Sequence, residues 1–233
     1  MPNSAKYDLD RARLAQLRKL GVDVRSFFDI GGSDGQWSSH ISLDFPDATF
    51  ELFEPLADYS EDYKTTLKTT LCNPRLRMHK IALGAECKRT EMSVYPNHPR
   101  GSSALESAAV TNEAKLVEVE MLTLDHAMRQ LRLPVPQVIK MDTQGCELNI
   151  LKGARKTLPG VSALVLECWL VRCYGPNTPL LLEVANFLRQ FDFHLWDLGG
   201  QWRDDKGVLG AQDCVFLNAR APGSRLGSER RLH

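Results

Sequence analysis

A glycine-rich segment behind a short apolar run constrains the fold of this chain more than any other part of its sequence. Residues 27–37 read Phe-Phe-Asp-Ile-Gly-Gly-Ser-Asp-Gly-Gln-Trp, with three apolar residues among the first four. The apolar run predicts a buried strand, and the glycines predict a tight turn into a helix. Because glycine lacks a Cβ atom, such a loop can take positive φ and let a ligand lie against the backbone. The segment therefore predicts a strand, a ligand loop and a helix start.

The spacing of the glycines narrows the class of ligand. A dinucleotide fingerprint that ends at Gly35 needs glycines at positions 30, 32 and 35, but Ile30 occupies the first of these. The pattern here is Asp29-x-Gly31-x-x-x-Gly35, which resembles the first motif of methyltransferases that use S-adenosylmethionine. A glycine-rich turn without this ligand, as found in other α/β folds, is the alternative interpretation. The candidate cofactor-binding residues of the segment are Asp29, Gly31, Gly32, Ser33 and Gly35.

Composition and charge limit the classes of function. Basic and acidic residues number 29 each, so the chain lacks the basic excess typical of nucleic-acid binding. No apolar run approaches the roughly 18 to 20 residues of a membrane span, and the N-terminus lacks the plan of a signal peptide. We therefore expect a cytoplasmic protein that binds neither nucleic acid nor membrane. Its six cysteines show no zinc-site spacing, so we expect reduced thiols, mostly in the core.

The rest of the chain alternates between strand and helix patterns. A helix capped by Asp8 or Asp10 and ending near Leu20 is predicted before the first strand. Further strands are predicted at 49–53, 76–83, 137–141, 161–166, 193–198 and 213–217, the last two antiparallel, with helices at 36–43, 57–71, 124–131, about 147–156 and 178–189. Residues 88–122 do not follow this alternation of strands and helices, and their pattern predicts a small β insertion with a loop. We divide the chain into an N-terminal helix (1–24), one domain (25–219) and a polar tail (220–233) expected to be disordered.

Two further strand ends complete the predicted cofactor site. Glu54 lies 19 residues beyond Gly35 and is followed by Pro55. An acidic residue at about this distance accepts hydrogen bonds from ribose hydroxyls in nucleotide-type α/β sites. A solvated carboxylate at a strand end is the alternative. Ala82 and Leu83, small and apolar at the end of the third strand, suit the face of an adenine ring.

Several segments, taken in order from about residue 27 to 218, resemble the FkbM-type methyltransferase family. The matching segments are 28–35, 53–55, 81–84 (Ile-Ala-Leu-Gly), 102–105 (Ser-Ser-Ala-Leu), 122–125 (Leu-Thr-Leu-Asp), 139–148 (Ile-Lys-Met-Asp-Thr-Gln-Gly-Cys-Glu-Leu) and 151–154 (Leu-Lys-Gly-Ala). The resemblance implies a class I methyltransferase fold: a doubly wound, mostly parallel seven-stranded sheet with helices on both faces and an antiparallel last strand. It also implies S-adenosylmethionine as cofactor and a sugar or natural-product hydroxyl as methyl acceptor. Relatives often have Ala and Asn where Gly32 and Ser33 stand.

Methyl transfer to a hydroxyl requires alignment of the reacting atoms and a group that takes the hydroxyl proton. Asp142 follows the predicted fourth strand directly and is the first candidate for this base or for ligand binding. A cap for the helix near Glu147 is the alternative role of Asp142. Glu167, at the end of the fifth strand, is predicted at the same edge of the sheet. His98, in the loop of the insertion, titrates near neutrality and is a third candidate, although exposed loop histidines are common.

Other functions remain open at the level of sequence. A nicotinamide-dependent oxidoreductase is disfavoured by Ile30, whereas a non-catalytic binding protein of methyltransferase-like fold is disfavoured only by the intact loop and Glu54. Asp142 and Glu167 supply fewer oxygen ligands than a divalent cation usually takes from protein, so no metal is expected. The sequence leaves the acceptor, the identity of the base and the oligomeric state undetermined.

Overall fold

The computed structural model describes residues 3–59, 61–94, 102–104 and 115–221. Within these residues the strands are, in chain order, β1 (Ser26–Ile30), β2 (Thr49–Phe53), β3 (Leu76–His79), β4 (Ala82–Leu83), β5 (Lys88–Val94), β6 (Lys115–Leu122), β7 (Val138–Met141), β8 (Ala163–Trp169), β9 (Phe193–Arg203) and β10 (Leu209–Asn218). The helices are α1 (Asn3–Lys19), α2 (Gln36–Ile41), α3 (Glu61–Thr70), α4 (Leu124–Leu131), α5 (Glu147–Lys152) and α6 (Leu181–Leu188).

Seven strands form the central sheet in the order β3-β2-β1-β7-β8-β10-β9. Strands β3, β2, β1, β7 and β8 are parallel to their neighbours, whereas β10 pairs antiparallel with both β8 and β9. This topology confirms the predicted doubly wound, mostly parallel sheet with an antiparallel last strand. The strand order reverses between β1 and β7, which is where open α/β sheets bind ligands, beyond the carboxyl ends of the strands.

The central sheet buries an apolar cluster on each face. Successive side chains of a strand point to opposite faces, so Phe27 and Phe28, both fully buried, belong to different clusters. The Phe27 cluster includes Leu14 and Leu17 of α1, and the Phe28 cluster includes Leu151 of α5. Helices therefore cover both faces, as a mostly parallel sheet requires.

The N-terminal helix begins earlier than the sequence predicts. Helix α1 starts at Asn3, so the prediction that Asp8 or Asp10 caps it is wrong. Asp10 instead lies inside the helix, is buried, and accepts a hydrogen bond from Trp37 Nε1 at 2.9 Å. Leu14 and Leu17 of this helix are both buried against the sheet.

A second, smaller sheet has the strand order β4-β6-β5. Strands β5 and β6 pair antiparallel, which confirms a β insertion in residues 88–122, and β4 runs parallel to β6. The prediction of one continuous strand at 76–83 is wrong, because β3 belongs to the central sheet and β4 to the small one. The pairing of β3 with β2 ends at Phe53 and His79, where the N–H group of Glu54 donates to the carbonyl oxygen of His79. Pro55 lacks an N–H group and cannot extend that ladder.

The last two strands are longer and less regular than predicted. Strand β9 continues to Arg203 and β10 begins at Leu209, and their register shifts at three places along the ladder.

All six cysteines are free, but the prediction that most lie in the core holds for only half of them. Cys146, Cys168 and Cys214 are buried, whereas Cys72, Cys87 and Cys173 are exposed. Within the described ranges, no helix has both the length and the apolar character needed to cross a membrane.

Candidate active site

A cleft opens at the carboxyl ends of β1, β2, β7 and β8, beside the small sheet. Tyr7 of α1 and Trp37 of α2 line its wall, together with Met92 and Ser102 of the insertion. The cleft is lined by most of the site residues that the sequence predicts: Gly31, Gly32, Ser33, Glu54, Pro55, Ala82, Leu83, Asp142 and Glu167. Ala82 and Leu83 are buried in β4 and so approach the cleft from the small sheet.

Gly31 lies where the loop after β1 crosses the end of β7. Its φ is +74°, and a Cβ atom there would lie 2.1 Å from the carbonyl oxygen of Asp142. The N–H groups of Gly31 and Gly32 both donate to the carbonyl oxygen of Phe53, at 2.9 and 3.2 Å. The loop is thus fixed between the ends of β2 and β7, and only glycine fits the crossing point.

Ser33 places a buried hydroxyl at the cleft. Its φ of +51° is a conformation that residues other than glycine seldom adopt. Its N–H group donates to Glu54 Oε2 at 3.0 Å, and its Oγ has no hydrogen-bond partner within the described part of the chain. A buried hydroxyl without a protein partner can be satisfied by a bound ligand.

Glu54 is buried at the end of β2, with 8% of its surface exposed, so the interpretation as a solvated carboxylate is wrong. Its Oε1 accepts the N–H group of Leu56 at 2.9 Å, while Oε2 accepts that of Ser33. Burial raises the pKa of Glu54, and these two hydrogen bonds oppose the rise. Because each carboxylate oxygen can accept more than one hydrogen bond, Glu54 keeps acceptor capacity toward the cleft.

Two predicted cofactor residues, Asp29 and Gly35, lie behind the loop and do not line the cleft. Asp29 is fully buried, and its Oδ2 accepts a hydrogen bond from Ser38 Oγ at 2.7 Å. Gly35 has φ +75° and precedes α2, where a Cβ atom would lie 2.7 Å from Thr70 Cγ2. Both residues support the conformation of the loop, so any effect that they have on a ligand is indirect and depends on that conformation.

Lys140 is a site residue that the sequence reasoning missed. It is buried on β7, with Nζ 3.2 Å from Asp29 Oδ1 and 3.8 Å from Asp142 Oδ2. Nζ also donates to the carbonyl oxygen of Gly31 at 3.4 Å. A buried ammonium group needs such partners to offset its loss of hydration. The available signal was a lysine inside an otherwise apolar strand, Val-Ile-Lys-Met.

Asp142 follows β7 directly and lies at the cleft. Its backbone N–H donates to the carbonyl oxygen of Ile30 at 3.1 Å, and its Oδ1 accepts a hydrogen bond from Gln144 Nε2 at 2.8 Å. The N-cap residue of α5 is Cys146, so the alternative role of Asp142 as a helix cap is wrong. Its carboxylate lines the cleft at the edge of the sheet.

Glu167 joins Asp142 through a shared partner. Gln144 Nε2 also donates to Glu167 Oε2 at 3.2 Å, and the Tyr174 hydroxyl donates to Gln144 Oε1. The predicted meeting of the two carboxylates at one edge of the sheet is thus observed. The hydrogen bond between Gln144 and Tyr174 was not predicted, because it depends on two loop conformations. Burial also raises the pKa of the Tyr174 hydroxyl.

Glu147 starts α5 and holds the loop that precedes it. Its Oε1 accepts the N–H groups of Thr143 and Gly145, at 2.9 and 3.3 Å, and the Thr143 hydroxyl at 3.0 Å. The side chain is 1% exposed, and burial raises the pKa of Glu147 to about 7. This carboxylate therefore shapes the turn that carries Gln144.

The last candidate base from the sequence is His98. His98 falls outside the described residues, so its candidacy as a base stays a prediction. Trp169 is buried and packs against Tyr174 and Trp202, with ring centroids 5.1 and 5.9 Å apart. Over the described ranges, no group of three or more His, Cys, Asp or Glu side chains is arranged to hold a metal ion.

Several known proteins similar to this chain are named methyltransferases. Methyltransferase 1 of Beauveria bassiana is 22% identical over 142 residues, and the match spans 54% of this chain and 56% of that relative. The O-methyltransferase TomG of Streptomyces achromogenes, solved in complex with SAM, superposes with a TM-score of 0.49 at 14% identity, over 94% of this chain and 81% of TomG. A precorrin-6y C5,15-methyltransferase of Geobacter metallireducens gives 0.48 at 12% identity, over 88% and 86% of the two chains.

A family model identifies the family to which this chain belongs. The model of the methyltransferase FkbM domain matches residues 29–195, from the aspartate that opens the glycine loop into strand β9. The match includes Asp142, Glu167 and the whole insertion. Because it covers more than half of the chain, the chain belongs to the FkbM methyltransferase family, whose methyl donor is S-adenosylmethionine.

Proposed function

We propose that this protein transfers a methyl group from S-adenosylmethionine to a hydroxyl group of a sugar or another small natural product. The observation that carries the proposal is the arrangement at the cleft. The glycine loop and Glu54 follow β1 and β2, Asp142 follows the neighbouring β7, and Glu167 lies near the end of β8; all of them line the cleft. A cofactor site thus adjoins a pair of carboxylates that can accept hydrogen bonds from hydroxyl groups.

The residues of the cleft fit this cofactor. Ser33 offers a buried hydroxyl without a protein partner, and Glu54 offers a carboxylate at the strand end where ribose hydroxyls are bound in related sites. Gly31 leaves open the space that a side chain would fill. Ala82 and Leu83 add a buried apolar wall suited to an adenine ring. S-adenosylmethionine supplies a methyl group activated by its sulfonium.

The chain contributes alignment and proton acceptance. Fixing an acceptor oxygen in line with a reacting bond is worth roughly 7 to 11 kcal/mol of barrier. Asp142 is the candidate to take the proton that the hydroxyl loses, and Glu167 is the candidate to hold the acceptor beside it. A positioned base of this kind typically contributes about 10² to 10⁴ in rate. His98 remains a proposed second candidate for the base.

The charge of the cleft favours an uncharged acceptor. The described residues that line it carry four carboxylates and one ammonium group, which belong to Asp34, Glu54, Asp142, Glu167 and Lys140. The ammonium group already lies near two carboxylates. A phosphate or carboxylate on the acceptor would therefore meet like charges, whereas neutral hydroxyl groups donate hydrogen bonds to them.

Calorimetric titration with S-adenosylhomocysteine tests the cofactor site, with NAD⁺ in parallel. We expect micromolar binding of the former and none of the latter. Glu54→Ala should weaken binding, because it removes the ribose acceptor and releases the Ser33 N–H group. A folded wild-type protein that binds neither compound would favour a non-catalytic, methyltransferase-like protein instead.

Labelled methyl transfer to a panel of methyl glycosides and other polyols tests the chemistry. We expect Asp142→Asn to lower turnover by about 10² or more while the affinity for S-adenosylhomocysteine changes little. Asp205→Asn, an exposed aspartate between β9 and β10, is the matched control. His98→Ala in the same assay decides between the two candidate bases. Wild-type turnover in Asp142→Asn would remove Asp142 from the mechanism.

A further inference from the structure

Gln144 occupies a strained and tightly held position beside the cleft. Its φ is +54°, in the left-handed region that residues other than glycine seldom adopt. Ser103 Oγ, from the insertion, donates to the carbonyl oxygen of Gln144 at 2.8 Å. Glu147 Oε1 accepts the N–H groups of the residues on either side, Thr143 and Gly145. Such strain persists where the surroundings fix the backbone, and it often marks a functional position.

The side-chain amide of Gln144 connects the two carboxylates of the site. Nε2 donates to Asp142 Oδ1 at 2.8 Å and to Glu167 Oε2 at 3.2 Å, and Oε1 accepts the hydroxyl of Tyr174. Because ionised carboxylates only accept hydrogen bonds, the amide nitrogen must face them and the oxygen must face the tyrosine. One amide thus links the ends of the neighbouring strands β7 and β8.

Two carboxylates in one site disfavour each other's ionised form, and N–H donors favour it. The titratable and charged groups around Asp142 come from several elements. Lys140 lies on β7, which Asp142 follows, and its ammonium group also contacts Asp29 on β1. The others are Glu167 on β8, Tyr174 after β8 and Glu147 on α5. The described insertion residues that line the cleft, Met92, Ser102 and Ala104, carry no charge. Gln144 is placed between the two acids, where its donors act on both.

We propose that Gln144 is a positioning residue for methyl transfer, which holds Asp142 and Glu167 ionised and at a fixed separation so that they can receive the acceptor. The inference rests on the proposed function and deepens it. The Tyr174 hydroxyl sets the orientation of the amide, and Ser103 and Glu147 set its backbone. A change at Gln144 should therefore affect the catalytic step and its pH dependence more than it affects cofactor binding.

Gln144→Met tests this proposal, because methionine keeps the length of the side chain but has no N–H donors. Gln212→Met is the matched control: its amide donates to backbone carbonyl groups, and it is not among the described residues that line the cleft. With labelled methyl donor and a methyl glycoside acceptor, we expect kcat to fall about tenfold or more in Gln144→Met. The KM for the donor should change little, and the acidic limb of the kcat profile should move to higher pH.

A second readout needs neither cofactor nor acceptor. Carbon NMR of the side-chain carboxyl groups, assigned with Asp142→Asn and Glu167→Gln, should show both groups of the pair titrating at higher pH in Gln144→Met than in wild type. Tyr174→Phe, which keeps the glutamine, should move them in the same direction by less. Tyr174→Phe also provides the test of the proposal if Gln144→Met fails to fold.

The outcomes separate this inference from the proposed function. Unchanged carboxyl titration and unchanged kcat in Gln144→Met and Tyr174→Phe would overturn the role of Gln144, even in an active enzyme. Loss of stability alone, as expected for Gln212→Met, would also overturn it. Failure of wild type to bind S-adenosylhomocysteine would instead overturn the proposed function, while the NMR comparison would still decide whether the amide controls the two acids.

Discussion

Individual residues determine whether the glycine loop can form. Gly31 and Gly207 both have positive φ, at +74° and +78°, so alanine would be strained at either position. They differ in their surroundings: a Cβ atom at Gly31 would lie 2.1 Å from a backbone oxygen, whereas nothing lies within 4 Å at Gly207. This pair separates the cost of backbone strain from the cost of a steric clash.

We expect Gly31→Ala to abolish measurable binding of S-adenosylhomocysteine and Gly207→Ala to leave it unchanged. Both should lose roughly 1 to 2 kcal/mol of stability from the positive φ, and Gly31→Ala should lose more, because the loop must move away from Asp142. Calorimetry and urea unfolding of both variants measure these effects. Equal binding by the two variants would show that the loop does not form the cofactor site.

Which site residues can be predicted from sequence depends on whether their position follows from a local pattern. Glu54 and Asp142 directly follow apolar strands, so their place at the edge of the sheet is predictable. Gln144 and Tyr174 meet only because two loops fold toward each other, and no spacing in the sequence encodes that contact. Lys140 was predictable only in part. The sequence shows a charged residue within an apolar strand, but its partner Asp29 lies 111 positions earlier in the chain.

At the level of elements, strand and helix types were predictable and their ends were less so. Strand β3 ends where its neighbour β2 turns at Pro55, a tertiary effect that the apolar run 76–83 does not contain. Helix α1 begins before both aspartates, and the Asp10 side chain accepts a hydrogen bond from Trp37 inside the fold. A long-range contact of this kind is not contained in the local capping pattern.

The attachment of α1 gives a prediction for the same two aspartates. Asp10→Ala should lose about 1 to 3 kcal/mol of stability, because it leaves the buried Trp37 N–H group without this acceptor. Asp8→Ala should lose much less, since Asp8 is exposed and its ion pairs with Arg11 and His40, among the described residues, lie at the surface. Urea unfolding followed by tryptophan fluorescence measures both. Similar losses in the two variants would contradict the contribution assigned to the hydrogen bond between Asp10 and Trp37.

For the molecule as a whole, Glu147 couples stability to pH. An unfolded chain protonates this carboxyl near pH 4.5, whereas the folded chain does so near 7. Between these values the folded state binds more protons than the unfolded state, so the free energy of unfolding falls as the pH rises. The stabilisation is fully present below the unfolded pKa and is lost above about pH 7.

Glu147→Gln should remove this dependence. Between pH 4.5 and 7, wild type should lose up to about 3 kcal/mol more stability than the variant, at roughly 1.4 kcal/mol per pKa unit. Glu91→Gln, an exposed glutamate on β5, is the control and should follow wild type. Urea unfolding at a series of pH values gives the three curves. Parallel curves for wild type and Glu147→Gln would contradict the prediction.

Strand β9 forms one edge of the central sheet and exposes Leu195, Leu198 and Trp202. A straight apolar edge of this length would be a template onto which another molecule could add a strand. The register shifts between β9 and β10 have the opposite effect, because bulges bend and twist a strand out of the plane that a second one would need. The irregular end of the sheet thus disfavours edge-to-edge association, whereas the parallel strands end at the cleft.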